Sequence, residues 1–447
     1  MVSLIHSRYD ELPPWGRILM RGIAEVAKLA MLSIVPLAVL VLFSLFKVGP
    51  WSPLDVILFL WGMCEVGFHF NWKARLQAPF MRKAFVMDFD QRTRLAYRLM
   101  EHVDDAEKTL GSWLLLRPKG RLHLGYFRRW LMWLFFDKKV EEMTPEEKSH
   151  GDVILKIFES RLQPASDQPL ENHALMFPTM DPMVCYPKPF IVHLAIQAVH
   201  LLAFWKLRWL GFRRCETRRL SYWFLPGDSF EPPIMYIHGI GIGFAMYLPK
   251  LQTLLEAYPK RSVVLLELPH VSMAHANVIL DHDQTLHAID AIFEHHHLGK
   301  VSLVAHSFGT LMASWIIRQR PQYLARVVLV DAVCFRMWDS TLAYNFLYAK
   351  PFSFIHDLAR FFIAQDPLVT HTLSKELYWY ESVLYPEDIP VPATIFLASH
   401  DWVVDAMAIE KYLAPRLPPG CNVILMDTHH GGSLIQNEHL LRVIQCV

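Results

Sequence analysis

Residues 301–309 place a serine where it could act as a nucleophile. Residues 301–305 form a short apolar run of the kind that fills a buried parallel strand, and from Phe308 onward Leu311, Met312, Ile316 and Ile317 recur at helical spacing until Pro321. Ser307 sits at the joint, with Ala305 and Gly309 two residues away on either side. Small residues are needed there because a strand that turns sharply into a helix brings backbone against backbone and strains the central residue. The turn holds the hydroxyl at the carboxyl edge of a sheet and at a helix amino terminus, which favours negative charge. A serine hydroxyl is a weak nucleophile near neutral pH, so such a site also needs a base to take its proton and a carboxylate to orient that base.

This stretch resembles the nucleophile elbow of the α/β-hydrolase superfamily, G-x-S-x-G, with Ala305 in place of the first glycine. Three further stretches resemble the same superfamily and occur in its order. His238, Gly239, Ile240, Gly241, Ile242 and Gly243 follow an apolar strand at 234–237 and look like the oxyanion loop of esterases and lipases. The resemblance implies that the amides of Ile240 and Phe308 hold the developing oxyanion. Asp401 follows the strand at 392–398 at the position of the superfamily's acid, with Asp405 as alternate or as a helix cap. After the strand at 422–426, His430 precedes a glycine as the superfamily's histidine often does, with His429 as alternate. The implied chemistry is ester cleavage through an acyl-enzyme on Ser307, without metal or organic cofactor. An acyltransferase on the same triad is one alternative, and a catalytically inactive interaction protein on the same fold is another.

The elements needed to position these residues are visible around them. Apolar runs at 220–225, 234–237, 262–268, 301–305, 325–331, 392–398 and 422–426 alternate with helical patterns, which predicts an α/β fold with a doubly wound, mostly parallel sheet; the first of these runs reads as an edge strand. Residues 332–389 interrupt the alternation with a helical, aromatic segment that includes Trp338, Phe346 and Trp379. It falls where the superfamily carries its cap and points to an apolar or lipid-like ester substrate. Two motifs lead elsewhere. The glycine-rich turn lacks the spacing of a phosphate-binding loop, and His295, His296 and His297 point in different directions around a helix end, which suits a solvated terminus better than a metal site.

The remaining half reads differently. In a 447-residue chain, 53% hydrophobic residues and 14 tryptophans exceed what a plain soluble enzyme needs, while a net charge of +1 gives no reason to expect a nucleic-acid partner. Six cysteines without C-x-x-C spacing indicate neither a zinc site nor a disulfide framework. Residues 29–46 are uncharged and about long enough to span a bilayer, and residues 56–70, which contain Glu65, form a shorter second run. Arg8 to Lys28 before the pair and Lys73, Arg75, Arg82 and Lys83 after it outnumber Lys47 between the runs, so insertion of both gives a hairpin with its ends and the catalytic part in the cytosol. The expected organisation is a membrane anchor at 1–83, a helical region at 84–217 and the hydrolase unit at 218–447. Within the helical region, 121–136 and 190–212 mix tryptophan, basic and aliphatic residues, as do both interfacial helices and helices packed on a core.

Overall fold

The computed structural model describes residues 14–45, 51–77, 87–115, 122, 124–159, 174–274, 279–351, 353–434 and 436–447. Arg8, Lys47, Arg82 and Lys83, named above, and residue 46 at the end of the first apolar run lie outside the described residues. Eight strands form one sheet in the order β1-β2-β4-β3-β5-β6-β7-β8. They are β1 (Arg213–Thr217), β2 (Leu220–Leu225), β3 (Ile234–Ile237), β4 (Val263–Leu266), β5 (Val301–His306), β6 (Leu324–Val330), β7 (Ala393–His400) and β8 (Asn422–His429). β2 runs antiparallel to β1 and β4, and every other pairing is parallel.

Strand periodicity divides the core in two. Met235, Ile237, Val264, Leu266, Leu303, Ala305, Val327 and Leu329 face one layer, while Ile234, Tyr236, Val263, Leu265, Val304, Val328 and Val330 face the other. Residues on both faces are apolar because helices cover both sides of a parallel sheet. The expected edge strand is not the edge: β1 covers β2, and the sheet therefore starts inside the region expected to be only helical. β1 has the sequence RRCET, half exposed and without an apolar run. Its hairpin turns on Arg218 and Arg219, both at positive φ (46° and 68°).

Before the sheet come α1 (Pro14–Leu45), α2 (Pro53–Gln77), α3 (Phe89–His102), α4 (Ala106–Ser112), α5 (Leu124–Phe136), α6 (Pro145–Glu159) and α7 (Phe190–Trp209). Asp88 and Asp105 cap α3 and α4 by accepting amides of their first turns. α5, within the stretch that left two readings open, is a core helix. Tyr126, Phe127, Trp130, Leu131, Met132, Trp133, Leu134 and Phe135 are all buried, in the same cluster as the α3 and α4 residues and one face of the sheet.

Among the described residues, three helices are long and apolar enough to cross a membrane: Gly22–Leu42 within α1, Pro53–Asn71 within α2, and α7 itself. The first window begins ahead of the expected 29–46 and takes in Lys28, which pairs with Glu25 (2.5 Å) and with Asp357 of the helix Phe354–Ala359 (2.8 Å). α1 runs unbroken through Pro36 and packs on α2. In α2, Glu65 is fully buried and accepts the amides of Phe190 (2.7 Å) and Ile191 (3.0 Å) at the start of α7. α7 rests Ala203, Leu207 and Phe204 on the domain while Leu194, Leu201, Leu202, Trp205 and Trp209 stay exposed.

Candidate active site

After α8 (Leu248–Ala257) and α9 (His282–His295), β5 delivers Ser307 and α10 (Gly309–Gln319) leaves it. Ser307 has φ +51°, left-handed backbone that a non-glycine residue adopts at a cost of about 1–3 kcal/mol. The turn is held open by contacts that exclude larger neighbours. A Cβ on Gly309 would lie 2.5 Å from the carbonyl oxygen of Ile237 and 2.7 Å from that of His238, so the helix starts against the end of β3. Ala305, fully buried, replaces glycine without a clash because β5 is still ordinary strand there.

The structure brings Ser307, His430 and Asp401 together from the carboxyl ends of three strands, β5, β8 and β7. Ser307 Oγ lies 2.8 Å from His430 Nε2, and His430 Nδ1 lies 2.7 Å from Asp401 Oδ2. Asp401 uses its other oxygen to accept the amides of Val403 (2.6 Å) and Val404 (3.2 Å), which fixes the carboxylate before the imidazole reaches it. The Asp401 side chain has no exposed surface. Burial pushes the His430 imidazolium down, but the Asp401 carboxylate and its hydrogen bond, with Asp331 adding to them, raise it to about 9. The two alternates point elsewhere. His429 Nδ1 lies 3.1 Å from the His400 carbonyl oxygen, and Asp405 accepts the Ala408 amide (3.0 Å) as the cap of Ala406–Leu413.

The turn after β3 approaches the serine from the other side. A Cβ on Gly239 would lie 2.8 Å from Ser307 Cβ. His238 Nε2 accepts the Leu268 amide (3.0 Å), so Nδ1 carries the hydrogen and donates to the Gly239 carbonyl at 2.7 Å. That carbonyl shares its trans peptide with the Ile240 amide, so the Ile240 N–H points the opposite way. Among the described residues neither the Ile240 nor the Phe308 amide has a hydrogen-bond partner, whereas Gly241 donates to Val271 (3.0 Å). Burial lowers His238 to about 4, which keeps it neutral as this geometry requires.

Strand order, the two antiparallel pairings at one edge and the turn at Ser307 decide the architecture. The chain has the α/β-hydrolase fold. No protein-family model matches the sequence, and no curated protein does. Among solved structures, this chain is similar to carboxylesterase CesB from Bacillus subtilis, at 13% identity over 57% of this chain and 97% of that one, with a TM-score of 0.43. It is similar to 2-hydroxy-6-oxo-6-phenylhexa-2,4-dienoate hydrolase from Rhodococcus sp. strain RHA1, at 17% identity over 52% of this chain and 96% of that one, TM-score 0.40. A membrane phospholipase A described as a bacterial virulence factor shares 15% identity over 58% of this chain and 94% of its own, TM-score 0.39.

Sequence reasoning passed over three residues beside the site. Asp331 ends β6 and is fully buried, His306 precedes the serine, and Tyr247 follows the turn Gly243–Met246. The available signal was a carboxylate closing an apolar strand at the same sheet edge as Ser307. The histidine run also differs from expectation: His296 stacks on Phe224 (3.8 Å between ring centres) and lies 3.0 Å from the Tyr222 hydroxyl, so it packs instead of being fully solvated. An apolar cavity of about 70 Å³ lies between α5 and the cap, lined by Trp113, Trp133, Met337, Phe346, Leu377 and Trp379. It is two rings from the triad, since Phe346 stacks near Trp402 and Trp402 meets the His430 ring edge-on.

Proposed function

We propose that this protein is a membrane-associated serine hydrolase that cleaves carboxylic esters with an apolar acyl part. The observation that carries the reading is the continuous hydrogen-bonded line from Ser307 through His430 to Asp401, with a strained serine at one end and a fully buried carboxylate at the other. Ser307 Oγ attacks the ester carbonyl carbon while its proton passes to His430 Nε2. The resulting oxyanion is held by the Ile240 and Phe308 amides, neither of which has another hydrogen-bond partner among the described residues. Collapse breaks the bond to the alcohol oxygen, which takes the proton from His430 and leaves. Water then repeats the sequence on the acyl-enzyme and releases the acid, restoring Ser307. Asp401 keeps the Nδ1 hydrogen in place and stabilises the imidazolium in both halves.

The apolar substrate follows from the aromatic cap and the cavity beneath it, walled by α5 as well as by the cap. α1 and α2 form the anchoring hairpin, with the catalytic part on the cytosolic side, and α7 lies along the membrane surface. Its docked face cannot also face lipid, and its exposed leucines and tryptophans suit the interface. In this organisation residues 1–83 are the anchor, 84–212 a helical layer that completes the core, and the sheet from Arg213 to the end the hydrolase unit with cap 332–389. Release of free acid from p-nitrophenyl esters by the detergent-solubilised full chain tests the reading: wild type turns them over, Ser307→Ala does not. Equal rates in the two proteins reject it.

A further inference from the structure

Asp331 is a buried carboxylate at this edge that the mechanism above leaves without a task. It has no exposed surface and a left-handed backbone (φ +48°), and its amide is held by the Phe396 carbonyl at 2.9 Å. Its Oδ2 accepts the Gly431 amide at 2.7 Å and lies 3.3 Å from His306 Nε2, while Oδ1 lies 3.3 Å from Ser433 Oγ. The other nitrogen of His306 lies 2.7 Å from the Tyr247 hydroxyl, and that hydroxyl accepts the Gly239 amide at 2.9 Å.

The hydrogens in this line follow from its carboxylate end. Ionised Asp331 can only accept, so His306 Nε2 carries the hydrogen that faces it. Nδ1 of the neutral ring is then bare and accepts from the Tyr247 hydroxyl, whose oxygen in turn accepts the Gly239 amide. The charges agree with the assignment. Burial holds His306 below its ordinary range and so neutral, against the pull of Asp331. Burial acts to raise Asp331, and its bond to His306, the nearby His430 and the Gly431 amide together hold it low and so ionised. One line of bonds thus runs from the loop of the proposed base, beneath the serine, to the loop of the proposed oxyanion donors.

We infer that Asp331, His306 and Tyr247 are positioning residues that fix the Gly239–Ile240 peptide and the His430 loop relative to Ser307. The inference rests on the hydrolase reading. Tyr247 holds the near end of that peptide by the Gly239 amide, and His238 orients it by the Gly239 carbonyl. Asp331 holds Gly431, the residue after His430. None of the three touches a substrate. Their effect is on where the oxyanion donor and the base stand when charge develops, so it belongs in kcat more than in KM.

The test uses the full chain in detergent and p-nitrophenyl butyrate. Tyr247→Phe keeps the ring and removes the hydroxyl. Its expected result is a fall in kcat of roughly ten- to a hundred-fold, less than outright loss of an oxyanion donor, with KM within about two-fold. The pH profile of kcat/KM stays in place, because the groups facing His430, namely Asp401, Asp331, Ser307 and His306, keep their charges. Asp331→Asn removes a negative charge facing His430 and moves the limb that reports this imidazole to lower pH. A folded Tyr247→Phe with wild-type kcat, or with its whole loss in KM, overturns the inference, as does an unmoved limb in Asp331→Asn. Should Tyr247→Phe not fold, His306→Gln breaks the same line and the same kcat and KM criteria decide. Wild type no faster than Ser307→Ala would instead sink the hydrolase reading itself.

Discussion

Glu65 in the amino-terminal half and Asp401 in the carboxyl-terminal half are both buried carboxylates with two or more donors, yet they do different work. Glu65 accepts the first two amides of α7, a helix whose cap residue is Pro189 and which has no side-chain acceptor of its own. It supplies from another helix the acceptor and the negative charge that a helix start lacks. Asp401 gives one oxygen to two backbone amides and the other to an imidazole. A backbone amide does not change its charge in this range, so Glu65 can only hold structure together. An imidazole does, so Asp401 governs a proton. Burial and charge alone therefore do not mark a functional carboxylate; the partner does.

The comparison can be broken by exchanging each acid for its amide. Asp401→Asn should lower kcat by about ten thousand-fold with the fold intact, because the amide no longer enforces the His430 tautomer. Glu65→Gln should leave turnover by the folded protein unchanged and loosen the start of α7 by about 1–3 kcal/mol, read as faster hydrogen exchange at residues 190–196. If the two variants lose kcat alike while folded, the contrast is wrong.

A second contrast within the amino-terminal half has the next largest effect. α5 and α7 have similar compositions, but Trp130 of α5 is fully buried and Trp205 of α7 is 62% exposed. Trp130→Ala should destabilise the protein by about 3–5 kcal/mol in denaturant titrations. Trp205→Ala should change stability by less than about 0.5 kcal/mol and instead reduce co-sedimentation with phospholipid vesicles. Reversed results would exchange the roles of the two helices.

The smallest effects come with pH, and they have opposite signs. With His430 raised from 6.5 to about 9, kcat/KM should climb as pH rises through about 9, since a base must be neutral to accept a proton. The same shift stabilises the fold fully below about 6.5 and is lost as pH rises through about 9. His238 and His270, lowered by burial from 6.5 to about 4 and about 3, act the other way: the unfolded chain binds their protons first, so stability falls as pH drops below about 6.5. Melting temperature against pH would show a maximum between the two regimes. A curve still rising above pH 9 would remove the raised His430 from the account.

What could be read in advance follows from how local each signal is. The parallel strands are short apolar runs, and Ser307, Asp401 and His430 each follow one of them, so a linear reading could name them and their alternates. β1 escaped because an edge strand needs no apolar run: RRCET is held by its pairing with β2. α5 and α7 could not be told apart because composition records how apolar a helix is and not which surface covers it. The line through Tyr247, His306 and Asp331 was invisible because its members are separated by 59 and 25 residues and meet only once β3, β5 and β6 lie side by side. The task of Glu65 was not legible because its partner, the start of α7, lies 125 residues further along the chain.

The central claim is that Ser307 is an activated nucleophile with His430 as its base. The most direct measurement is reaction of the full chain, in native membranes and in detergent, with a fluorophosphonate, followed by mass mapping of the modified peptide. A single adduct on Ser307 is expected, absent in Ser307→Ala and reduced to background in His430→Ala. An adduct on another serine, undiminished labelling in His430→Ala, or no adduct in a wild-type protein that melts cooperatively would contradict the claim.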